Sequence, residues 1–256
     1  MGIESPGSPP RRTRDPEATR ARILKAATQE FTRYGLAGAR GERIAQRARS
    51  SERMVYYYFG SKEGLYRQVL DAVYLDLRQA EHSLALDDLP PAQALSTFCR
   101  FVWRYYYEHP EFIGLVNAEN LQRARQLRRS PRLGELVSTV VGMLESLLRR
   151  GEADGTFRAG IDAATLYVAI AGQGYFCLSN AHTLSAVLGR DLRDPARLEA
   201  HWRASEEMIL RFAARAPQAI VLPPPSTPAA RGAPPAREDD DRGFDDVDDD
   251  PLGDAA

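Results

Sequence analysis

Apolar residues recur along this chain at helical spacing. Ile23, Ala27 and Phe31 run i, i+4, i+8, and Gly35 can end that helix. Leu133, Leu136/Val137, Val140, Leu144 and Leu147/Leu148 make a continuous stripe that stops at Gly151. Leu198, Trp202, Ser205, Ile209 and Phe212 repeat by 4, 3, 4 and 3. No stretch alternates with period two for long enough to make a strand. The pattern predicts an all-α fold of about nine helices, near 16–34, 41–48, 52–58, 62–83, 91–107, 110–128, 131–150, 163–188 and 195–215. A loop is expected over Gly151–Gly160, with Asp162 capping the helix that follows.

The prolines sharpen this picture. Of 17, three lie in residues 1–14 and eight from residue 217 onward, leaving six for the 202 residues between. Both ends therefore read as unstructured, around a folded part of roughly 200 residues. Four internal prolines follow a residue able to cap (Asp15, His109, Ser130 and Asp194), which marks helix starts. The organisation expected is a basic arm over 1–14, a first helical domain over 15–75, a larger one over 76–216, and a Pro/Ala-rich then acidic tail over 217–256. The tail reads as a solubilising extension, or as an acidic segment that folds back on the basic end.

Charge is distributed unevenly behind a total of −1. Residues 1–70 hold fourteen Lys and Arg against seven Asp and Glu, a net of +7; residues 71–215 net −1; the remainder nets −7. A basic first quarter on a near-neutral body points to one polyanion-binding end and another end with a separate task. The longest apolar runs fall well short of the ~20 residues of a membrane span. Arg11-Arg12 has no apolar stretch behind it, which argues against a secretory signal. Two cysteines, Cys99 and Cys177, make no disulfide framework and suit a reducing cytoplasm. His82, His109, His182 and His201 lack metal-ligand spacing, and Gly172-Gln173-Gly174 sits inside a helix rather than after a strand. No catalytic, metal or cofactor site is expected.

The motif that explains the basic end is GERIAQRARSSERMVYYYFG, residues 41–60. Two short helices crossing steeply need a small residue in the first and apolar residues at fixed offsets. Ala45 supplies the one; Ile44, Ala48, Val55 and Tyr58 supply the others; Arg49-Ser50 makes the turn and Ser51 caps the second helix. An ordinary helical hairpin would also fit this much. Over a wider window the chain resembles the tetracycline-repressor (TetR) family of bacterial transcription regulators. The matching residues are Ile23, Ala26-Ala27, Phe31, Gly35, Ile44-Ala45, Ala48, Ser51, Val55-Tyr56, Tyr58-Phe59, Ser61-Lys62-Glu63 and Leu65. Three positions depart from the family pattern: Arg49, where glycine is usual and positive φ is favoured, and Arg53 and Met54 on the second short helix.

The resemblance implies an N-terminal three-helix helix-turn-helix domain, then a larger helical domain for an effector and for dimerisation. The second short helix should lie in the major groove. Arg53 is the expected base reader, with Glu52 and Met54 beside it; Tyr56, Tyr57, Arg40, Arg43 and Lys62 are expected at phosphates, with Ser51 at the helix start. Arg11, Arg12 and Arg14 could enter the minor groove or remain a non-specific tail. Candidate pocket residues are Phe98, Val102, Trp103, Tyr106, Asn117, Asn120, Gln173 and Phe176, the two asparagines serving either as ties between helices or as ligand-orienting groups. The expected dimer surface is the seam Leu198, Trp202, Ser205, Ile209 and Phe212, approached at Gly172; packing within the subunit is the alternative. The partners implied are double-stranded operator DNA, a second copy of the chain and a small-molecule effector. The function implied is a repressor released by that molecule. An activator, or an interaction protein whose helix-turn-helix does not read DNA specifically, is the competing reading.

Overall fold

The computed structural model describes residues 15–215, with backbone alone over 131–137. Both termini, including the expected arginine arm and acidic tail, lie outside the described residues, as do the side chains of Leu133, Leu136 and Val137. Ten α-helices follow one another: α1 Pro16–Gly38, α2 Gly41–Arg47, α3 Glu52–Phe59, α4 Lys62–His82, α5 Pro91–Glu108, α6 Pro110–Leu121, α7 Pro131–Ala153, α8 Ala163–Ser179, α9 Ala181–Leu188 and α10 Pro195–Ala213. Single 3₁₀ turns, Leu86–Asp88 and Leu127–Arg129, precede α5 and α7. Among the described residues the single extended pairing is an isolated bridge between Phe157 and Ala214.

The start signals work by two routes. Asp15 accepts from the backbone N–H groups of Glu17 and Ala18, and Asp194 from that of Arg197. His109 and Ser130 also precede helix starts, but neither side chain caps. Ser130 instead donates to Asp71 on α4 at 2.6 Å. Asp162 caps α8 through the Thr165 N–H, as its position predicts.

Three departures from the sequence pattern have physical causes. The helix expected over 163–188 is two: it breaks at Asn180, whose backbone leaves helical geometry at φ −106° and ψ 13° while its side-chain amide joins its own N–H on the Phe176 carbonyl. This raises the count from nine to ten. The helix expected to reach 128 stops at Leu121, where Arg123 and Ala124 take left-handed backbone at φ 55° and 58°. That turn is held from outside it: the fully buried Glu119 carboxylate accepts from the Gln126 and Leu127 N–H groups at 3.1 and 3.0 Å. Gly35, at φ 63°, interrupts α1 where the pattern ends it, and the chain then turns helical again to Gly38.

The apolar interior falls into two clusters. One gathers Ile23, Phe31, Ile44, Val55 and Phe59 with Leu65, Tyr66, Val69 and Leu70 of α4, and borrows Leu115 from α6. The other gathers Leu77 of α4 with Phe98, Trp103, Tyr106, Leu144, Leu166, Ile170 and Ile209. Val73 packs against both. The expected domain boundary at 75–76 thus falls inside α4. α6 lies tightly on α1, where a Cβ added at Gly114 would come within 2.8 Å of the Thr32 methyl.

Candidate nucleic-acid interface and effector cavity

α3 begins at Ser51, whose hydroxyl accepts from the Met54 N–H at 3.3 Å, so Ser51 serves the helix itself. Val55 and Phe59 turn inward. Glu52, Arg53, Tyr56 and Tyr57 turn outward, Tyr57 with 77% of its surface exposed; Met54 is half-buried. The turn before α3 places Arg49 at φ 50°, so the arginine takes up the left-handed backbone usually given to glycine. Gly41 lets α2 approach α3: a Cβ there would lie 2.6 Å from a Glu52 carboxylate oxygen and 2.7 Å from the Tyr56 hydroxyl. Partial burial, then the Glu52 carboxylate beside it, pushes the Tyr56 phenol above its ordinary range. Glu52 is therefore occupied next to Tyr56.

The basic residues divide into free and committed. Arg40 is exposed at the start of α2. Lys62, in the first turn of α4, places its ammonium 3.3 Å from the Ala39 carbonyl and remains part-exposed. Arg43 is committed. Its Nε donates to the fully buried Glu30 at 2.5 Å, its Nη2 to the Gly38 carbonyl at 2.8 Å, and its guanidinium covers the Tyr34 ring at 4.3 Å. These contacts make Arg43 a brace between α2 and α1. Arg43→Ala is expected to cost ~1–3 kcal/mol in thermal unfolding, since it removes the shortest contact of a buried carboxylate and leaves it the Arg40 N–H at 3.3 Å and the Arg47 guanidinium at 3.7 Å. The salt dependence of DNA binding should stay unchanged; a slope lowered by about one would restore the phosphate role.

In the larger half the expected pocket residues do not converge. Phe98, Val102 and Trp103 are wholly buried, and Tyr106 nearly so. Trp103 donates from its indole to the Ile170 carbonyl at 2.8 Å and lies over Gly174, where a Cβ would meet it at 2.5 Å. Asn117 and Asn120 tie α6 to α8: the Tyr175 hydroxyl donates to Asn117, the Ser179 hydroxyl does so at 3.1 Å, and the Asn120 amide reaches Tyr175 at 3.4 Å. Tyr106 and Asn117 border a hollow of about 440 Å³ beside α9. Gln173 accepts from Ser205 at 3.3 Å, and Phe176 is exposed.

A smaller cavity of about 280 Å³ opens between the far end of α4, the first 3₁₀ turn and α7. Its walls include Arg78, Glu81 and His82 from α4 and Val140, Met143 and Ser146 from α7. Sequence reasoning missed it. A signal was present: on α4, Leu70, Tyr74, Leu77 and Glu81 share a face, so a carboxylate and its neighbour Arg78 sit among apolar positions.

The seam expected to join two copies is largely internal. Leu198, Ser205 and Ile209 are buried within the subunit, and Trp202 is half-buried against Tyr107. A side chain already buried in its own core has no surface left for a partner. The exposed stripes lie elsewhere: Ala164, Val168, Gly172 and Phe176 on α8, and Ala200, Ala204, Met208 and Phe212 on α10, each at i, i+4 spacing. Gly172 and Phe212 are the expected interface residues that fall on them.

Among the described residues no helix is long and apolar enough to cross a membrane, and no His, Cys, Asp and Glu cluster could hold a metal. Residues 23–69 match the family model described as bacterial regulatory proteins, tetR family, and residues 91–209 the one described as tetracyclin repressor-like, C-terminal domain. The chain is 42% identical over 191 residues to the HTH-type transcriptional repressor NicS of Pseudomonas putida, covering 75% of this chain and 90% of that one. It is 30% identical over 186 residues to the HTH-type transcriptional regulator RutR of Escherichia coli K12, covering 72% and 85%. The crystal structure of the putative transcriptional regulator SCO4942 from Streptomyces coelicolor superposes with a TM-score of 0.59 at 30% identity, over 74% of this chain and 97% of that one.

Proposed function

Because the chain belongs to the tetracycline-repressor family of DNA-binding transcription regulators, we propose that it acts as a dimeric repressor whose hold on its operator is broken by a small molecule bound beside α4. It is a regulator and not an enzyme, and family members bind operator DNA and effectors and are typically dimers. The observation that carries the DNA reading is the two-sided recognition helix: α3 is anchored by Val55 and Phe59 and presents Arg53 and Tyr57 to solvent. Arg53 reads guanine through O6 and N7, while Arg40, Lys62 and Tyr56 meet phosphate. The stripes on α8 and α10 join two copies as a four-helix bundle, and the protein works in the cytoplasm.

The observation that carries the release mechanism is the span of α4. Lys62 stands in its first turn at the DNA end, and Arg78, Glu81 and His82 line the cavity at its last. Its 21 residues cover ~30 Å at 1.5 Å per residue. A ligand wedged against α7 displaces the far end and rotates the head. Two recognition helices must sit ~34–36 Å apart, or a multiple, so a shift of a few ångströms breaks joint engagement of both half-sites.

Footprinting across the promoter beside the protein's own gene is expected to show a palindromic protected core. Arg53→Ala should relax preference at one base pair, by ~1–3 kcal/mol. Equal weakening on every sequence would move Arg53 to the phosphates. Uniform protection without a palindrome would overturn the operator reading.

A further inference from the structure

The turn that follows α6 carries Arg123, Arg125, Arg128 and Arg129, and all four are exposed. None of these guanidiniums has a hydrogen-bond, carboxylate or ring partner among the described residues. Elsewhere in the larger half Arg100, Arg150, Arg193, Arg203 and Arg211 each face a carboxylate. Like charges set this close together repel, and a surface laid out for solubility alone intersperses the two signs.

The turn is held in one shape. Arg123 and Ala124 keep left-handed backbone, which is unfavourable for a residue with a Cβ. Glu119 accepts from the Gln126 and Leu127 N–H groups, Gln126 accepts from Arg67 of α4 at 3.2 Å, and Ser130 donates to Asp71. Both carboxylates bonded to the segment, Glu119 and Asp71, are thus spent on its shape. These ties also fix its level. Leu127 packs against the cluster that holds α3, and Arg67 lies ~7.5 Å along α4 from Lys62, at 1.5 Å per residue. The arginines therefore stand level with the reading head, whereas the cavity lies at the other end of α4. Free guanidiniums held ready beside a DNA-binding head suit phosphate oxygens above other partners. We propose that this turn is a second phosphate clamp, gripping the backbone of the same duplex outside the groove that α3 enters. It adds affinity and carries no sequence information. The assignment rests on the head binding DNA, and holds whether or not the operator is palindromic.

Two duplexes of equal length test it on the full chain: the promoter fragment beside the protein's own gene, and a random-sequence control. Arg128→Ala combined with Arg129→Ala removes two guanidiniums from each subunit. The slope of log affinity against log salt should become shallower by about two per bound subunit on both duplexes, with binding about tenfold or more weaker in about 0.2 M salt. Arg128→Lys combined with Arg129→Lys keeps the charge and should keep the slope. Melting temperatures of both variants should match the parent, since neither side chain is buried or paired. On the promoter fragment, phosphate ethylation interference should lose particular phosphates in the alanine variant and keep those met by Arg40 and Lys62. An unchanged slope on both duplexes, an unchanged interference pattern, or a slope that falls as far in the lysine variant would overturn the proposal. If the slope falls on both duplexes but the fragment shows no palindromic core, the arginine clamp stands and the operator reading falls.

Discussion

An aspartate at position 168 should convert the protein to monomers and weaken operator binding by about a hundredfold or more. Val168 is 67% exposed in the subunit, so the substitution costs the monomer fold little, within ~0.5 kcal/mol. In the proposed dimer it stands in the α8 stripe with Ala164, Gly172 and Phe176. Two-fold symmetry buries the new carboxylate twice, unpaired each time, at several kcal/mol per copy. A monomer engages one half-site and forfeits the second, which a dimer binds almost as an intramolecular step. Sedimentation and operator titration at the same concentration would report both effects. A Val168→Asp protein that remains dimeric would place the interface on another face. Ser205→Asp is the informative contrast, because Ser205 is wholly buried. It should unfold the subunit rather than separate two of them.

Trp103→Ala should lower stability by ~3–5 kcal/mol, and the melting temperature by roughly 10 °C. The indole is fully buried, its N–H is spent on the Ile170 carbonyl, and its ring fills the space that Gly174 leaves open. The aromatic run around Trp103 read as pocket lining in the sequence, and that reading makes the opposite forecast. A pocket tryptophan would cost little stability and change the response to ligand. Chemical denaturation of the variant separates the two. A loss below ~1 kcal/mol would return Trp103 to the effector site.

Local chemistry was legible and tertiary chemistry was not. Asp15 before Pro16, Asp194 before Pro195 and Ser51 before Glu52 mark helix starts through hydrogen bonds made within three residues, and all three cap as their positions predict. The second short helix was partly readable for the same reason: Val55 turns inward as its spacing predicts, while Tyr58, expected beside it, is half-buried and Phe59 takes the inner face. The end of α6 was not, because Arg123 and Ala124 hold left-handed backbone only with Glu119 buried beneath them. The cavity joins α4 to α7 across about sixty residues, and no local pattern records that meeting. On α10 the sequence shows two stripes. The one at 198, 205 and 209, marked by Leu198 and Ile209, belongs to the subunit's own core. The exposed one begins with Ala200 and Ala204, whose small side chains give it little contrast with its surroundings.

α4 belongs to both apolar clusters: Leu65, Tyr66, Val69 and Leu70 serve one, Leu77 the other, and Val73 touches both. Neither half can melt while the other stays intact without tearing one continuous helix across its middle. Heat absorption on warming should therefore appear as one peak, in which the reading head and the sensing half share a single enthalpy. A compound that tightens the sensing half protects the head from proteases even while it pulls the head off DNA. Release from the operator, in such a molecule, is a gain in order.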